Sequence, residues 1–342
     1  MDFVPSYIAL HRSGELRRRA DALELLLHRC TVCPLDCGVD RIANERSRCY
    51  TGYLPVVSSW TLHFGEEPAL GGTRGVGNIF FGNCNLRCVY CQNHAISQNH
   101  REERVHEKTF EQLADIMLAL QEEGAHAIGL VSPSHVVPGI VRALTIAADR
   151  GLRLPMIYNS NAYDAVGVLR LLDGIIDVYL PDLKYAESDL GMQYSKVGDY
   201  PLHARAAITE MHRQAGSALE TDAEGVVRRG LIIRHLVLPN DLAGSRASLE
   251  WICTALGPDV TISIMSQYYP THRAATMPLV DRPIRASEYH RVLDVLEELG
   301  MHNGWMQEPG AAETYRPEFG NRVDPFRNRS KEIEDGGLKI ED

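Results

Sequence analysis

From about residue 76 onward, short runs of aliphatic and β-branched residues alternate with longer runs whose apolar positions recur every three or four residues. The short runs predict strands at Val76–Gly82, Ala127–Val131, Pro155–Tyr158, Ile175–Leu180, Leu231–Leu238 and Val260–Met265. The longer runs predict helices near 109–122, 138–150, 163–172, 203–215, 245–256 and 286–299, the first opened by a capping-box pair, Thr109 and Gln112. Six such alternations imply an α/β fold of parallel strands joined by crossover helices, and strands this apolar are covered on both faces. A doubly wound sheet and a partial or full β/α barrel both satisfy the pattern.

The flanks read differently. Residues 15–29 predict a helix with leucines along one side and Arg17, Arg18 and Arg19 on its solvated face. Residues 50–74 contain Gly and Pro with short β-like pieces, and the tail from Arg316 to Asp342 is charged and poor in large apolar side chains, hence disordered or draped over the surface. The expected division is an N-terminal helix and Cys-rich metal-binding extension over 1–74, the β/α unit over 75–310, and a charged C-terminal tail over 311–342.

Composition narrows the function classes. At 342 residues and 44% hydrophobic content the chain can bury a large core. Its net charge of -10 argues against a general nucleic-acid partner. No apolar stretch approaches the ~20 residues that span a bilayer. The mildly apolar Met1–Leu10 precedes its basic residues, the wrong order for a secretory signal. The expectation is a cytoplasmic protein with no membrane and no nucleic-acid partner.

Seven of the eight cysteines fall in two groups, and in a reducing compartment grouped cysteines read as metal or cluster ligands before disulfides. Cys253 stands alone in a helical, apolar pattern and reads as a small hydrophobe. The second group, Cys84, Cys88 and Cys91, has the spacing C-x3-C-x2-C directly after the first predicted strand, with no fourth cysteine nearby. Structural zinc sites close with four ligands, and Fe–S clusters generally take four thiolates. A [4Fe–4S] cubane held by three leaves one iron open to the amino and carboxylate groups of S-adenosylmethionine (SAM). One electron from the cluster then cleaves the sulfonium to methionine and a 5′-deoxyadenosyl radical, which abstracts a hydrogen atom. The competing reading is a zinc site completed by His94 or a distant ligand. Tyr90, between the last two cysteines, is placed to pack against adenine or simply beside the cluster.

Five blocks resemble the radical SAM superfamily, in the branch related to the pyruvate formate-lyase activating enzymes: His63–Pro68, Gly77–Asn93, Tyr158–Tyr163, Val178–Tyr185 and Ile232–Pro239. The resemblance runs from about residue 24 to about residue 310. It implies a partial (β/α)6 barrel with its chemistry at the C-terminal ends of the strands. It also implies a [4Fe–4S] cluster and SAM as cofactors, and a reductant such as flavodoxin or ferredoxin. Asp182 and Lys184 match an Asp-x-Lys motif and are expected to help hold SAM. Asn159, Ser160 and Asn161 match an Asp-Thr-Asn strand end where a cation binds, with Asn159 in place of the acid. Arg234 matches a fifth-strand arginine, and a charge in so apolar a run needs a partner. The activases' Gly-Gly-Glu after the second strand is absent. Gly129-Leu-Val-Ser132-Pro-Ser134-His135 stands there instead, with Ser132, Ser134 and His135 as candidate substitutes.

The first group, Cys30, Cys33, Cys37 and Cys49, offers four thiolates for a second site, either zinc or an auxiliary Fe–S cluster. Glu66 and Glu67, beside His63, read slightly better as an ordinary acidic loop than as the substrate mouth. Gln267-Tyr-Tyr-Pro270 is a candidate substrate contact at the barrel rim, while His135, His235 and His272 read as structural. The substrate is open between a glycyl-radical-enzyme-like protein, another peptide and a small molecule. The reading from a different class is a non-catalytic Fe–S or zinc scaffold or redox sensor.

Overall fold

The computed structural model describes residues 3–308, 311 and 317–326. Its strands are β1 (Val57–His63), β2 (Val76–Phe81), β3 (Ile128–Val131), β4 (Met156–Ser160), β5 (Val178–Pro181), β6 (Glu220–Thr221), β7 (Val227–Leu236), β8 (Thr261–Met265) and β9 (Gly304–Met306). All six predicted strands and all six predicted helices are present with shifted ends. The Thr109–Gln112 capping box is formed in full.

The sheet order is β1-β2-β3-β4-β5-β7-β8-β9, parallel from β2 to β9, with β1 antiparallel on one edge and β6 antiparallel beside β7. Among the described residues β1 and β9 are the sheet's edges and do not pair with each other, so the fold is a partial β/α barrel. Every residue of β2, β3, β5 and β8 is buried, as their unbroken apolar runs require. β3 also has a steric demand at its second position. A Cβ on Gly129 would fall 1.9 Å from Asn78 Oδ1, so the glycine leaves room for the Asn78 side chain.

The helix Glu15–Leu25 buries Leu16, Ala20 and Leu23 and packs along the crossover helix Val137–Asp149. Arg17 and Arg18 are exposed as expected, whereas Arg19 reaches back to the Leu171 carbonyl. The part of the tail that is described, 317–326, is draped as one reading had it. Phe319 and Phe326 pack on Phe80, and Arg322 pairs with the buried Glu103 at 2.7 Å. The rest of the tail lies outside the described residues. Among those residues no helix is long and apolar enough to cross a membrane.

Candidate active site

The loop after β2 turns through Asn83 in the left-handed region (φ 67°) and is then tied down residue by residue. Arg87 N donates to the Ser195 carbonyl, Val89 N to the Tyr194 carbonyl and Gln98 Nε2 to the Cys88 carbonyl. Asn85 is fully buried; its Nδ2 donates to the Tyr163 carbonyl and its Oδ1 accepts from Asn161 Nδ2, both at 2.8 Å. Each of the three sulfurs has a polar hydrogen near it. Cys84 Sγ lies 3.4 Å from both Leu86 N and Asn161 Nδ2. Cys88 Sγ accepts from Ser195 Oγ at 2.9 Å, and Ser97 Oγ lies 3.2 Å from Cys91 Sγ. Such donors favour thiolate and tune the potential of a bound cluster. Burial works the other way, pushing the Cys84 thiol up to about 11 and Cys91 up to about 12. Thiolates here need a cationic partner.

Cys84, Cys88 and Cys91 form one wall of a cavity of about 190 Å³ at the C-terminal ends of the parallel strands. Tyr90, Ser132, Asn159, Asn161, Asp182, Lys184 and Arg234 line the same cavity. Lys184 Nζ donates to Asp182 Oδ2 at 2.7 Å. Burial opposes its charge, but Asp182 and the Cys88 and Cys91 sulfurs outweigh burial and hold the ammonium above its ordinary pKa. Tyr90 lines the cavity, its ring meets Tyr185 and Tyr268 edge-on, and its hydroxyl donates to Tyr185 at 2.6 Å. Tyr185 and Ser195 continue that chain to Cys88 Sγ.

A second cavity adjoins the first through Gln92, Asn93, Asn159, Arg234 and Gln267. Arg234 Nε donates to Glu67 Oε1 at 2.7 Å, and its Nη2 bonds both Glu66 and Glu67. Asn78 Nδ2 donates to the other Glu66 oxygen at 2.7 Å. Glu66 and Glu67 are therefore not an ordinary acidic loop but counter-ions of Arg234, Glu67 buried and Glu66 largely so. They and the buried His63 line this second cavity. Gln267 lines both cavities, whereas Tyr268 packs and bonds the Val280 carbonyl.

Two of the candidate substitutes for Gly-Gly-Glu are elsewhere. Ser132 takes a left-handed turn (φ 59°) that carries the chain away from the cavity, leaving only Ser132 on its wall. Ser134 is buried, and His135 Nε2 meets the Gly82 carbonyl at 3.0 Å behind the cysteine loop. Burial lowers His135 to about 3, so the ring is neutral and a donor to that carbonyl. His235 is likewise structural, bridging the Leu183 carbonyl and Ser245 Oγ. His94 stacks on His272 with its Nδ1 at the Cys91 carbonyl and is not part of the cavity wall. Cys253 is half-buried with its thiol toward the Leu299 carbonyl.

The first cysteine group folds as a tight loop. Cys30 N donates to the Val39 carbonyl and Gly38 N to the Cys30 carbonyl, with Asp36 and Gly38 at positive φ. Cys30, Cys33 and Cys49 are buried and Cys37 is half-buried. Burial raises the Cys33 thiol above its ordinary value, and Cys37 Sγ lies 4.0 Å from the Cys30 carbonyl. Arg41 Nη1 donates to the His135 carbonyl, bracing this loop against the end of β2. Among the described residues no set of three or more His, Cys, Asp or Glu side chains converges as on a single metal ion.

Sequence reasoning missed Ser97, Asn85 and Ser195. The first two sit in or beside the cysteine motif, but Ser195 lies 107 residues from Cys88 and carries no local signal.

No family model matches the chain. It is 28% identical over 276 residues to an uncharacterized protein of Methanocaldococcus jannaschii, covering 80% of this chain and 75% of that one. Among solved structures it is similar to Streptococcus suis SuiB bound to the precursor peptide SuiA, at TM-score 0.46 and 11% identity over 68% of this chain and 48% of that one. It is also similar to HydG, a maturase of the [FeFe]-hydrogenase, at TM-score 0.46 and 13% identity over 87% of this chain and 65% of that one. The chain thus spans about half the length of SuiB and somewhat under two thirds of HydG. The reading of function rests on this chain's own residues.

Proposed function

We propose that this chain is a radical SAM enzyme, acting in a reducing cytoplasm on a substrate held in the second cavity. The observation that carries the reading is the single cavity in which three thiols meet every residue expected to hold SAM. The donor set suits the cofactor: three thiols with a hydrogen-bond donor near each sulfur, no fourth cysteine on the wall, and a lysine–carboxylate pair opposite. A mononuclear zinc site wants ligands converging within ~2.3 Å of one ion. A [4Fe–4S] cluster is held by thiolates around its corners, a role open to Cys84, Cys88 and Cys91 on the cavity wall they share. When bound, the reduced cluster supplies the electron that cleaves the SAM sulfonium.

The protein's own groups bind and orient. Lys184, fixed by Asp182, presents an ammonium suited to the SAM carboxylate, and Asn159, Asn161 and Ser132 offer neutral hydrogen-bonding groups around it. Arg234, locked by Glu66 and Glu67, stands where the two cavities meet and gives that boundary a fixed polar face. The test is anaerobic reconstitution with SAM and a strong reductant: 5′-deoxyadenosine is the expected product. A colourless zinc protein without turnover would instead support a scaffold. Lys184→Ala is expected to weaken SAM binding by roughly tenfold or more, the loss of one charge-assisted contact, while the iron content stays unchanged. Unaltered SAM affinity by calorimetry would remove Lys184 from the site.

For the first cysteine group, four thiolates suit either zinc or an auxiliary Fe–S cluster. Metal analysis of anaerobically purified protein is expected to show either about four iron atoms beyond those of the Cys84/Cys88/Cys91 cluster or about one zinc. Four freely alkylated thiols with neither metal would mean there is no second site.

A further inference from the structure

A further cavity, of about 310 Å³, shares no lining residue with the two at the strand ends and is larger than either. Small-molecule sites begin at roughly 300 Å³. Its walls include Arg46, Asn83, Arg101, Arg104 and Glu107, so three arginines stand against one glutamate. That glutamate is already taken, since Arg46 Nη2 donates to Glu107 Oε1 at 2.6 Å. The other carboxylates of the segment are taken as well. Arg322 and Ser58 bond the buried Glu103, and Asn99 Nδ2 donates to Glu102 at 2.6 Å. Arg101 and Arg104 are exposed and form no ion pair with a described residue. Their segment is fixed in place: the His100 ring, also on the wall, stacks on Tyr50 at 3.8 Å, and the Arg87 guanidinium lies 5.0 Å from the Tyr50 ring.

Two polar groups bordering this cavity are buried without a partner. Asn83 is 1% exposed; its backbone N–H is bonded to the Ile96 carbonyl, but its Oδ1 meets no donor. Arg46 is held through Nη2, while its buried Nε meets no acceptor. Buried polar groups are nearly always paired, and an unpaired one asks for a partner from outside the chain. One of these two asks for a donor and the other for an acceptor. Water answers both but leaves the surplus positive charge of the walls, on a chain whose net charge is -10. An oxyanion that also bears a hydroxyl or amine answers all three demands, and the planar guanidinium fork suits phosphate and carboxylate oxygens alike.

We propose that this cavity binds a small hydroxylated oxyanion. Arg46, Arg101 and Arg104 take its anionic end, and Asn83 Oδ1 accepts from its hydroxyl or amine. Phosphate monoesters and hydroxy-polycarboxylates share this chemistry. The site is separate from the SAM and substrate cavities and does not depend on the radical SAM reading. Asn83 immediately precedes Cys84, so an occupant bonded to it steadies the start of the cysteine loop.

The test is calorimetry on the anaerobically purified full chain with glycerol 3-phosphate, citrate and inorganic phosphate, the ionic strength held equal with sodium chloride. At least one of the two hydroxylated anions is expected to bind saturably, one per chain, and more tightly than inorganic phosphate. Which of them binds tells a phosphate ester from a polycarboxylate. Arg101→Gln/Arg104→Gln is expected to weaken that binding by about tenfold or more, the loss of charge-assisted contacts. Asn83→Gly keeps a backbone at φ 67° that glycine takes freely, and is expected to bring the hydroxylated anion down to the affinity of inorganic phosphate. If that variant does not fold, Asn83→Asp serves: it is isosteric, tolerates the same backbone and, by placing a like charge in the cavity, should abolish binding. Saturable binding of no probe would overturn the site and leave the two buried groups to water. So would affinities that none of these folded variants changes, or inorganic phosphate bound as tightly as both hydroxylated anions. Many weak sites per chain instead of one would equally overturn it, as counter-ions gathered on a cationic surface. SAM cleavage plays no part in the readout, so failure of the enzymatic reading leaves this result standing.

Discussion

Alanine at Cys84, Cys88 or Cys91 is expected to abolish 5′-deoxyadenosine formation and to lower the iron content of the reconstituted protein, each substitution alone being sufficient. The three thiols are the only cysteines on the cavity wall, so no neighbour stands ready to replace a lost one. Cys88 is the most deeply built in, as the end of the hydrogen-bonded chain from Tyr90 through Tyr185 and Ser195. Replacing it leaves the Ser195 hydroxyl facing a methyl group as well as removing a ligand. Cys253→Ala is the matched control. That thiol sits half-buried on a helix, directed at a backbone carbonyl, and its loss is expected to leave SAM cleavage intact. Full SAM cleavage by a variant lacking all three cavity cysteines would remove the radical SAM reading, whatever else the protein binds.

The repeating half of this fold was legible in the sequence because its strands are buried on both faces. A strand such as Val76–Phe81 must then be apolar throughout, and the pattern is hard to miss. β1 was harder: Val57–His63 is a partly exposed edge strand with Ser58, Ser59 and Thr61 in it, and β9 is only three residues long. In the site, the three cysteines stood out by their spacing and Asp182 with Lys184 by the resemblance, and all five line one cavity. Roles set by distant contacts were not readable. Arg234 was seen to need a partner, but its counter-ion Glu66 lies 168 residues away, and an adjacent glutamate pair in a Gly- and Pro-bearing stretch looks like solvated loop until the chain is folded. Ser134 and His135 failed for a related reason. Sequence position placed them at the end of β3, but after the left-handed turn at Ser132 neither is on the cavity wall, and His135 bonds the Gly82 carbonyl.

That buried cluster carries the second large expected effect. Arg234→Met is expected to destabilise the protein by about 3–5 kcal/mol, since removing one partner of a buried ion pair strands the opposite charge. Here it strands two carboxylates, Glu66 and Glu67, with Asn78 the remaining bond to Glu66. The thermal midpoint should fall by on the order of 10 °C. The triple variant Glu66→Gln/Glu67→Gln/Arg234→Met should recover much of the loss, because neutral amides do not carry the uncompensated charge. The pH dependence distinguishes this cause from simple loss of packing. Burial disfavours the Glu66 carboxylate, yet Arg234 and His63, together with the hydrogen bonds from Arg234 and Asn78, overcome it and bring the group from 4.5 down to about 2. A depressed carboxyl contributes stability that is fully present above its unfolded value and is lost as pH falls from about 4.5 toward 2. In Arg234→Met the remaining burial should raise the same carboxyl instead. The variant's deficit against the parent should then shrink as the pH is lowered from 7 toward 5, while the parent holds its stability over that range. Unfolding followed by circular dichroism across pH 3 to 8 reads both slopes. A variant as stable as the parent, or a deficit that does not change with pH, would mean that Arg234 is not neutralising buried charge and that the second cavity is organised by something other than this ion pair.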